Sequence, residues 1–374
     1  MAGATAQSVR RWRAQRWFLA GQAQSLDEAT ASLPPLAAGP GAYLSLFSRV
    51  KGFRARALER ALSKGGSLCV MPIFGLGDAL VAPPIAPLYA ATRGFIARRN
   101  ARRTKRWRAL EDQFGEQSAA LHGVLSGAPA AAGELSRAPT AIAALDEMAR
   151  RGQALKVPGD QRLDGRFSYG KPPRELAGAS LQVEGYAFLG ELALEFFRFA
   201  GPATRDDFSW WSGVSPPAGR HSIEDLSGLI GEIDIEGERK AFFMREEDAA
   251  DLRQGHGVET SRVCLLPSMD CARFALRSGF AALCDERMAA RYVPAARRAR
   301  GSLAGGPRFM TFGGRIGGKW EPAGPDRIEV EAIRPLSIDE GFASTQAGTD
   351  LLEFLRSEIP WALSPDQRGR SALL

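Results

Sequence analysis

Apolar and polar positions along the chain follow two periods, and the order of these periods repeats. The opening segment VRRWRAQRWFLAGQ has its apolar residues at helical spacing. Two more helical segments follow, SLDEATASL and RARALERALSK, and Ser25 and Glu28 have the spacing of a capping box. After Gly65 and Gly66 the residues become apolar and β-branched, which predicts a hairpin. Three short helices followed by a two-stranded ribbon is the element order of a winged helix.

The same order is predicted a second time. Helical patterns cover residues 111–125, 131–135 and 140–151, and the segment ALKVPGDQRLDGRFSYGK predicts a hairpin with a long tip. Between the two units lies IARRNARRTKRWRAL, which predicts a dense cationic helix. This helix is either a solvated connector or a contact for nucleic-acid phosphates.

A third unit begins with an amphipathic helix over residues 184–200, which ends at the segment GPAT. Thr204 and Asp207 have the spacing of a shortened capping box at the start of the next helix. We expect Trp210 and Trp211 to serve in packing rather than to stack on a ligand or a base, with one ring toward a three-helix core and the other near the next helix or a domain seam. A helix over residues 221–229 and the strands EIDIEG and RKAFFM complete a third unit, so the chain contains a structural repeat without clear sequence identity.

From Arg262 the pattern changes to short strands, in RVCLLPSMD, PRFMTFGGRIGGKWEP and DRIEVEAIRPL. Paired glycines separate two alternating apolar runs, which predicts a hairpin in a small barrel or sheet. The segment TDLLEFLRSEI predicts a final helix before a polar tail.

The charge of the chain is unevenly distributed. Residues 1–110 hold 18 Lys and Arg against 4 Asp and Glu, whereas the remaining residues hold 31 against 38. A basic block attracts polyanions because each neutralised phosphate releases condensed counterions. We therefore favour nucleic acid as the partner over a merely solvated basic surface.

The cysteines and the apolar stretches narrow the classes of protein that fit this sequence. The cysteines Cys69, Cys264, Cys271 and Cys284 form no CxxC pair and no cluster with His, so we expect buried free thiols in a reducing compartment, with no metal and no cofactor. The N-terminus lacks the apolar region of a signal peptide, and the most apolar stretch, from Ser67, is interrupted by Asp78 and prolines. We expect no membrane span, and a cytoplasmic monomer that associates with the nucleoid when bound to DNA.

Several segments resemble one known family. The blocks GPATRDDFSWWSGV, LLPSMD with the following ARFALRS, and FMTFGGRIGGKWEP are similar, in order and spacing, to those of the AlkZ/YcaQ-like family of winged-helix DNA-binding proteins and DNA glycosylases. In the N-terminal half, GAYLSLFSRVKGF and RALERALSKGGSL resemble the first domain of that family. The resemblance extends over most of the chain.

The resemblance implies an α+β chain of three tandem winged-helix domains, curved around duplex DNA and followed by a small C-terminal β-barrel. It also implies hydrolysis of the N-glycosidic bond of bulky N-alkylated purines. With the predicted elements it divides the chain as follows: residues 1–100, first winged helix; 101–180, basic connector helix and second winged helix; 181–258, third winged helix; 259–340, β-barrel; 341–374, C-terminal helix and tail.

An N7-alkylated purine is already a cationic leaving group, so the hydrolase has only to hold a water and stabilise the oxocarbenium ion. In active members of the family a Gln-x-Gln or Gln-x-Asp motif has this role. Aligning the block PGAYLSLFSR places the two motif positions at Ala37 and Gly39, and neither can accept a proton from water. A literal QAQ at residues 22–24 lies some fifteen residues too early, and we interpret it as a chance match.

Other residues are weaker candidates for chemistry. Asp78 lies on the first predicted ribbon, where it is either a replacement water-activating group or an ordinary turn residue, the second being favoured. Asp270 either orients Arg273 or Arg277 or forms a structural salt bridge, with the second again favoured. His122, His221 and His256 have no companion acid or nucleophile in the sequence, so we expect surface or capping roles for them.

The candidates for DNA contact are basic residues in the first two units, and we expect them to bind phosphates rather than to read bases. They are Arg10, Arg13, Arg16, Arg49, Lys51, Arg54, Arg102, Arg103, Lys105, Arg106, Arg162 and Arg166.

Three functions remain open. The first is a duplex DNA-binding member of the family that has lost its glycosylase motif. The second is an active glycosylase for alkylated or crosslinked purines with a replacement catalytic group, and the third is a winged-helix transcription regulator.

Overall fold

The computed structural model describes residues 4–363 except 64, 74–76, 104, 124, 126–128, 132–133, 135–140, 178–186, 255–260, 285–305 and 324–325. Its architecture is mixed α and β. The α-helices of more than four residues in the described part of the chain are α1 (Ala6–Arg16), α2 (Leu26–Ser32), α3 (Pro40–Phe47), α4 (Ala55–Ala61), α5 (Ala86–Arg103), α6 (Lys105–His122), α7 (Ala141–Arg150), α8 (Ala187–Ala200), α9 (Arg205–Ser212), α10 (Pro216–Glu224), α11 (Glu246–Gln254), α12 (Cys271–Ala275) and α13 (Ile338–Glu358).

The strands are short, and each pair described below is antiparallel. They are β1 (Leu36–Ala37), β2 (Cys69–Ile73), β3 (Gly77–Val81), β4 (Ala130–Ala131), β5 (Leu155–Pro158), β6 (Phe167–Gly170), β7 (Ile230–Ile233), β8 (Phe242–Arg245), β9 (Val263–Leu266), β10 (Phe309–Phe312), β11 (Arg315–Pro322) and β12 (Ile328–Ala332).

The chain divides into two compact units that are each built from separated stretches of sequence. The first unit comprises residues 1–58, 196–207 and 227–374, and the second comprises residues 59–195 and 208–226. The five consecutive domains expected from the sequence remain a prediction.

In the first unit the C-terminal strands form an open sheet in the order β12-β11-β10-β9. The predicted glycine hairpin is present, because Phe312 pairs with Arg315 across Gly313 and Gly314, which both have positive φ (51° and 82°) as a two-residue turn requires. The sheet is not closed on itself in the part of the chain described here, in contrast to the expected barrel. Instead α13 packs against β9 and β12.

The final helix is longer than expected. Only residues 349–359 were predicted to be helical, yet α13 begins directly after Ser337. Ser337 and Glu340 form a reciprocal capping box there, in which Ser337 Oγ accepts from the Glu340 N–H at 3.2 Å. The polar and glycine-containing first half of this helix concealed it from the apolar pattern, whereas its cap was visible in the sequence.

The N-terminal helix of the first unit packs on the ribbon formed by β7 and β8. Trp12 shares a buried cluster with Ile233 and Met244, and α1 is preceded by a bridge between Ala4 and Ile235. The helical spacing of the opening segment left the partners of Trp12 open, and the structure supplies them from the third ribbon. Residues more than 200 positions apart build this core.

The second unit contains the first two predicted hairpins, and they share one sheet. Strands β2 and β3 pair from Cys69 with Val81 onward, and β5 and β6 pair from Leu155 with Gly170 onward. The two hairpins are joined where Val70 of β2 pairs with Lys156 of β5. Both hairpins were expected from the sequence, but their union was not.

Helices in the second unit agree in part with expectation. The cationic connector is not one helix: α5 ends at Arg103, α6 begins at Lys105, and the two pack against each other as a helical hairpin. The predicted turn helix at 131–135 lies largely outside the described residues. The helix expected over 221–229 instead begins at Pro216, because proline is well suited to the first helical position, and it ends at Glu224.

The stretch that contains the double Trp behaves as a packing element. Asp207 N–H donates to Thr204 Oγ1 at 3.1 Å and Thr204 N–H donates to Asp207 Oδ2 at 3.0 Å, so the predicted capping box is confirmed. In the second unit the ring of Trp211 is buried and meets Tyr89 edge to face, with centroids 5.7 Å apart. Trp210 is partly exposed.

Candidate nucleic-acid interface and catalytic positions

The two positions aligned with the catalytic motif lie at the entrance to α3. Ala37 is in the two-residue strand β1 and is 9 % exposed. Gly39 is the N-cap of α3 in an extended conformation (φ −173°), and its helix has no side-chain cap. A Cβ at Gly39 would meet no atom within 4 Å. The site therefore has room for a polar side chain, but the chain supplies none at these two positions.

Asp78 is held by a lysine in the second unit. It lies within β3 opposite Pro72, not in the hairpin turn that the sequence suggested. Lys156 Nζ donates to both of its carboxylate oxygens, at 2.9 and 2.8 Å, and lies 2.8 Å from Asp146 Oδ1 as well. The lysine side chain is 6 % exposed and that of Asp78 is 24 % exposed. The carboxylate is thus engaged in a structural ion pair that joins the two hairpins.

Lys156 was not identified from the sequence, because alternation with the apolar Leu155 and Val157 favours an exposed position for the lysine. In the structure the even positions of this strand are the buried ones, so the lysine lies on the covered face. Tyr169 completes the cluster by donating its hydroxyl to Asp146 Oδ1 at 2.6 Å. Burial first, and then this hydrogen bond, raise the pKa of Tyr169 above its usual range.

Asp270 is the N-cap of α12, and its partner in the first unit is Arg49. Arg49 Nη1 and Nη2 donate to Asp270 Oδ2 and Oδ1, both at 2.8 Å, and both side chains are 0 % exposed. Ser45 Oγ donates to the same carboxylate at 2.7 Å. The favoured reading of a structural salt bridge is therefore correct, but the partner is Arg49 rather than Arg273 or Arg277.

This pair removes Arg49 from the residues that can contact DNA. Burial disfavours its charged form, yet the adjacent Asp270 carboxylate outweighs burial, so the pKa of Arg49 is raised. A guanidinium without exposed surface cannot reach a phosphate. We correct the expected role of Arg49 accordingly.

The other candidates in the first unit differ in exposure. Arg13 is 7 % exposed and donates to the carbonyls of Ala200 and Pro202, so it is not a surface contact. Arg16 donates to the Arg198 carbonyl at 2.9 Å and lies 3.6 Å from Asp248. Three further candidates are at least partly exposed to solvent: Arg10 on α1, Lys51 in a turn, and Arg54, which is paired with Glu358.

In the second unit the basic candidates concentrate where α5 ends and α6 begins. Residues 98–108 contain seven Lys and Arg and no acid. Neither helix has an acidic residue in its first turn. Of the expected contacts here, Lys105 is exposed; Arg102, Arg103 and Arg106 are placed on the helices but their side chains lie outside the described set. We call residues 98–108 the hairpin tip.

An ion-pair network fixes the base of this helical hairpin. Arg93 of α5 donates twice to Glu147 of α7, with Nη2 2.7 Å from Oε2, and Arg151 donates to the same carboxylate at 2.8 Å. Arg151 Nη2 also donates to Glu111 of α6 at 2.9 Å. These ion pairs join both α5 and α6 to α7, and they stabilise the helices that end and begin at the hairpin tip.

The second hairpin of this unit contributes two exposed arginines. Arg162 is exposed at its long tip, and Arg166 is 75 % exposed and bonded to Asp164. Asp164 neutralises part of the charge of Arg166, so Arg162 is the better placed of the two arginines to contact a phosphate.

The remaining polar candidates do not form a catalytic arrangement. In the QAQ segment, Ala23 is buried and bridges Val50, while the Gln24 N–H donates to Glu28 at 2.6 Å. His122 Nδ1 lies 3.0 Å from the Ser118 carbonyl, and His221 lies 3.5 Å from Asp225 on the surface. His256 lies outside the described residues.

Metal-ligand clusters and membrane-spanning helices are both absent from the described part of the chain. No group of three or more His, Cys, Asp or Glu there is arranged to hold a metal ion. No helix among the same residues has both the length and the apolar character needed to cross a bilayer.

The chain is similar to known proteins in both sequence and fold. The family model described as DNA glycosylase AlkZ-like matches residues 16–354. Among solved structures, the fold is similar to that of the Streptomyces sahachiroi DNA glycosylase AlkZ, with a TM-score of 0.73 and 18 % sequence identity over 96 % of this chain and 97 % of that chain. No curated protein matches.

Proposed function

Because the chain belongs to the AlkZ-like DNA glycosylase family, we propose that it binds duplex DNA in the repair of bulky N-alkylated purines, without the usual Gln-x-Gln or Gln-x-Asp chemistry. The proposal includes the finer architecture that the family implies, in which the three ribbons are the wings of three winged-helix domains.

The observation that carries duplex binding is the hairpin tip. Seven positive charges lie within eleven residues, and those of α6 lie at the positive end of its helix dipole. This arrangement is self-repulsive unless an anion neutralises it. A duplex carries one phosphate charge per about 1.7 Å of its axis, which provides counter-charges at matching density.

The loss of motif chemistry is supported by Ala37, Gly39 and Asp78 together. A methyl group and a hydrogen atom cannot orient a water molecule. The one carboxylate that the sequence offered as a replacement has both oxygens bonded to Lys156. Both oxygens accept from Lys156 in a pair that joins the two hairpins, and this structural role of Asp78 favours DNA binding over an enzyme that relies on Asp78 for chemistry.

The salt dependence of duplex affinity tests the proposal. Replacing Arg102, Arg103 and Arg106 together with Gln is expected to reduce the slope of log affinity against log salt by about two to three, since each phosphate contact contributes about 0.9. A matched control replaces Arg253, Arg327 and Arg356 with Gln, because these arginines are equal in charge and distant in sequence from the tip.

Affinity that is insensitive to salt, or a slope that the tip and control variants reduce equally, contradicts the proposal. The same titration separates repair from regulation. Stronger binding to a duplex with an N7-alkylguanine than to the undamaged duplex supports repair, whereas preference for one undamaged sequence supports a transcription regulator.

A further inference from the structure

A cleft of about 720 Å³ opens in the first unit, and its lining contains none of the hairpin-tip residues, although Arg10 and Arg13 are among the candidates for DNA contact described above. It is lined by α1, by the residues that begin α9, by the connection between β7 and β8, and by the residues that follow α12. Its basic residues are Arg10, Arg13, Lys240 and Arg277.

Arg13 forms the floor of this cleft and carries a buried charge. Its side chain donates through Nε to the Ala200 carbonyl at 3.3 Å and through Nη2 to the Pro202 carbonyl. Within the described residues, Nη1 donates to no group and no carboxylate lies at ion-pair distance. Burial lowers the pKa of Arg13 to about 10, with Asp207 opposing this effect. A buried cation without a counter-ion is unfavourable, so an anion would stabilise it.

The acids of the cleft do not neutralise this floor. Asp207 is committed to the chain itself, because its Oδ2 accepts from Thr204 and its Oδ1 accepts from the Arg277 backbone N–H at 3.0 Å. Asp206 and Glu238 are exposed at the rim. Arg10 and Lys240 stand at the same rim. The rim is therefore mixed in charge, and among the described residues that line the cleft the one buried charge without an ionic partner is that of Arg13.

We propose that this cleft binds a phosphate group, to which Arg13 donates from the floor through Nη1 and Arg10 and Lys240 donate from the rim. Guanidinium and ammonium groups form short, charge-assisted hydrogen bonds with phosphate oxygens, and the planar fork of arginine matches their geometry. The site belongs to the first unit and the hairpin tip belongs to the second. The tip variant and the rim variants therefore change different residues, so failure of duplex binding and failure of phosphate binding are distinguishable.

Calorimetric titration at constant ionic strength tests the site on the full-length protein. The probes are inorganic phosphate, a nucleoside monophosphate, and a short single-stranded oligonucleotide with either a 5′-phosphate or a 5′-hydroxyl. Saturable binding of phosphate and the monophosphate with similar affinity assigns the site to free phosphate compounds. Preference for the 5′-phosphorylated over the 5′-hydroxyl oligonucleotide assigns it to a nucleic-acid end.

Rim variants make the test specific while leaving the buried Arg13 intact. Arg10→Ala and Lys240→Ala are each expected to weaken binding about tenfold, the usual effect of losing one charge-assisted hydrogen bond. Arg239→Ala removes the same charge beside Lys240 but outside the cleft lining, and it is expected to bind as the parent does. No saturable binding of any probe, or equal affinity of all three variants, overturns the proposal.

Discussion

At the scale of single residues, the Arg49 and Asp270 pair fixes the surroundings of α3. Both side chains are fully buried and joined by two hydrogen bonds of 2.8 Å, and Ser45 of α3 donates to the same carboxylate. Arg49 also donates from Nε to the Trp17 carbonyl at 2.9 Å. The helix that begins next to Gly39 is thus anchored to the cap of α12.

Asp270→Asn is expected to lower the free energy of unfolding by about 3–5 kcal/mol, because it leaves the buried guanidinium without its counter-charge. Urea unfolding measures the loss. The control Asp326→Asn breaks an exposed pair with Arg356 and should cost less than about 1 kcal/mol. Equal losses of unfolding free energy in the two variants would show that the buried pair stabilises the protein no more than the exposed pair does.

The sequence could identify Asp270 as structural but could not identify its partner. Arg49 lies 221 positions away, and nothing in its local pattern distinguishes it from the exposed arginines near it. The same limitation applies to Lys156, which lies 78 positions from Asp78. Burial of a charged residue depends on tertiary contacts, and the local pattern of a single sequence does not indicate which distant residues will make them.

At the scale of elements, α1 packs closely against the chain that follows α8, at a position where only glycine fits. Gly201 has φ +64°, and a Cβ there would lie 2.0 Å from the ring of Trp12. Trp17 Nε1 donates to the Phe199 carbonyl at 2.8 Å, so the same helix end receives both tryptophans. The glycine in GPAT is therefore required twice, for its backbone conformation and for its lack of a side chain.

Gly201→Ala is expected to destabilise the protein by at least about 2 kcal/mol, from a strained φ and from overpacking against Trp12. Gly237→Ala is the matched control, since Gly237 also has positive φ (80°) but has nothing within 4 Å of a Cβ. Thermal unfolding should show the larger loss for Gly201→Ala. If Gly237→Ala costs as much, the close contact with Trp12 contributes nothing.

Local signals predicted most elements, and long-range packing explains the exceptions. The three ribbons and the Thr204 cap follow from alternation, glycine pairs and capping residues, all of which act within a few positions. The open C-terminal sheet, the union of two hairpins at Val70 and Lys156, and the packing of α1 on β7 and β8 each need partners that are distant in sequence.

At the scale of the whole molecule, charge and chemistry point to different conclusions. The basic excess of residues 1–110 suits a polyanion, whereas Ala37 and Gly39 offer no group to hold the attacking water. An N7-alkylated purine is a good leaving group already, so even one well-placed polar side chain would accelerate its release. The central claim is that the chain binds such DNA without performing this step.

Release of the damaged base tests that claim most directly. The purified protein is incubated with duplexes that carry N7-alkylguanine or a crosslinked purine, under conditions in which the duplex is bound, and abasic sites are counted over time. Abasic sites are expected to form at the spontaneous rate of the free duplex. Release above that rate on any of these lesions would contradict it and establish the protein as an active glycosylase.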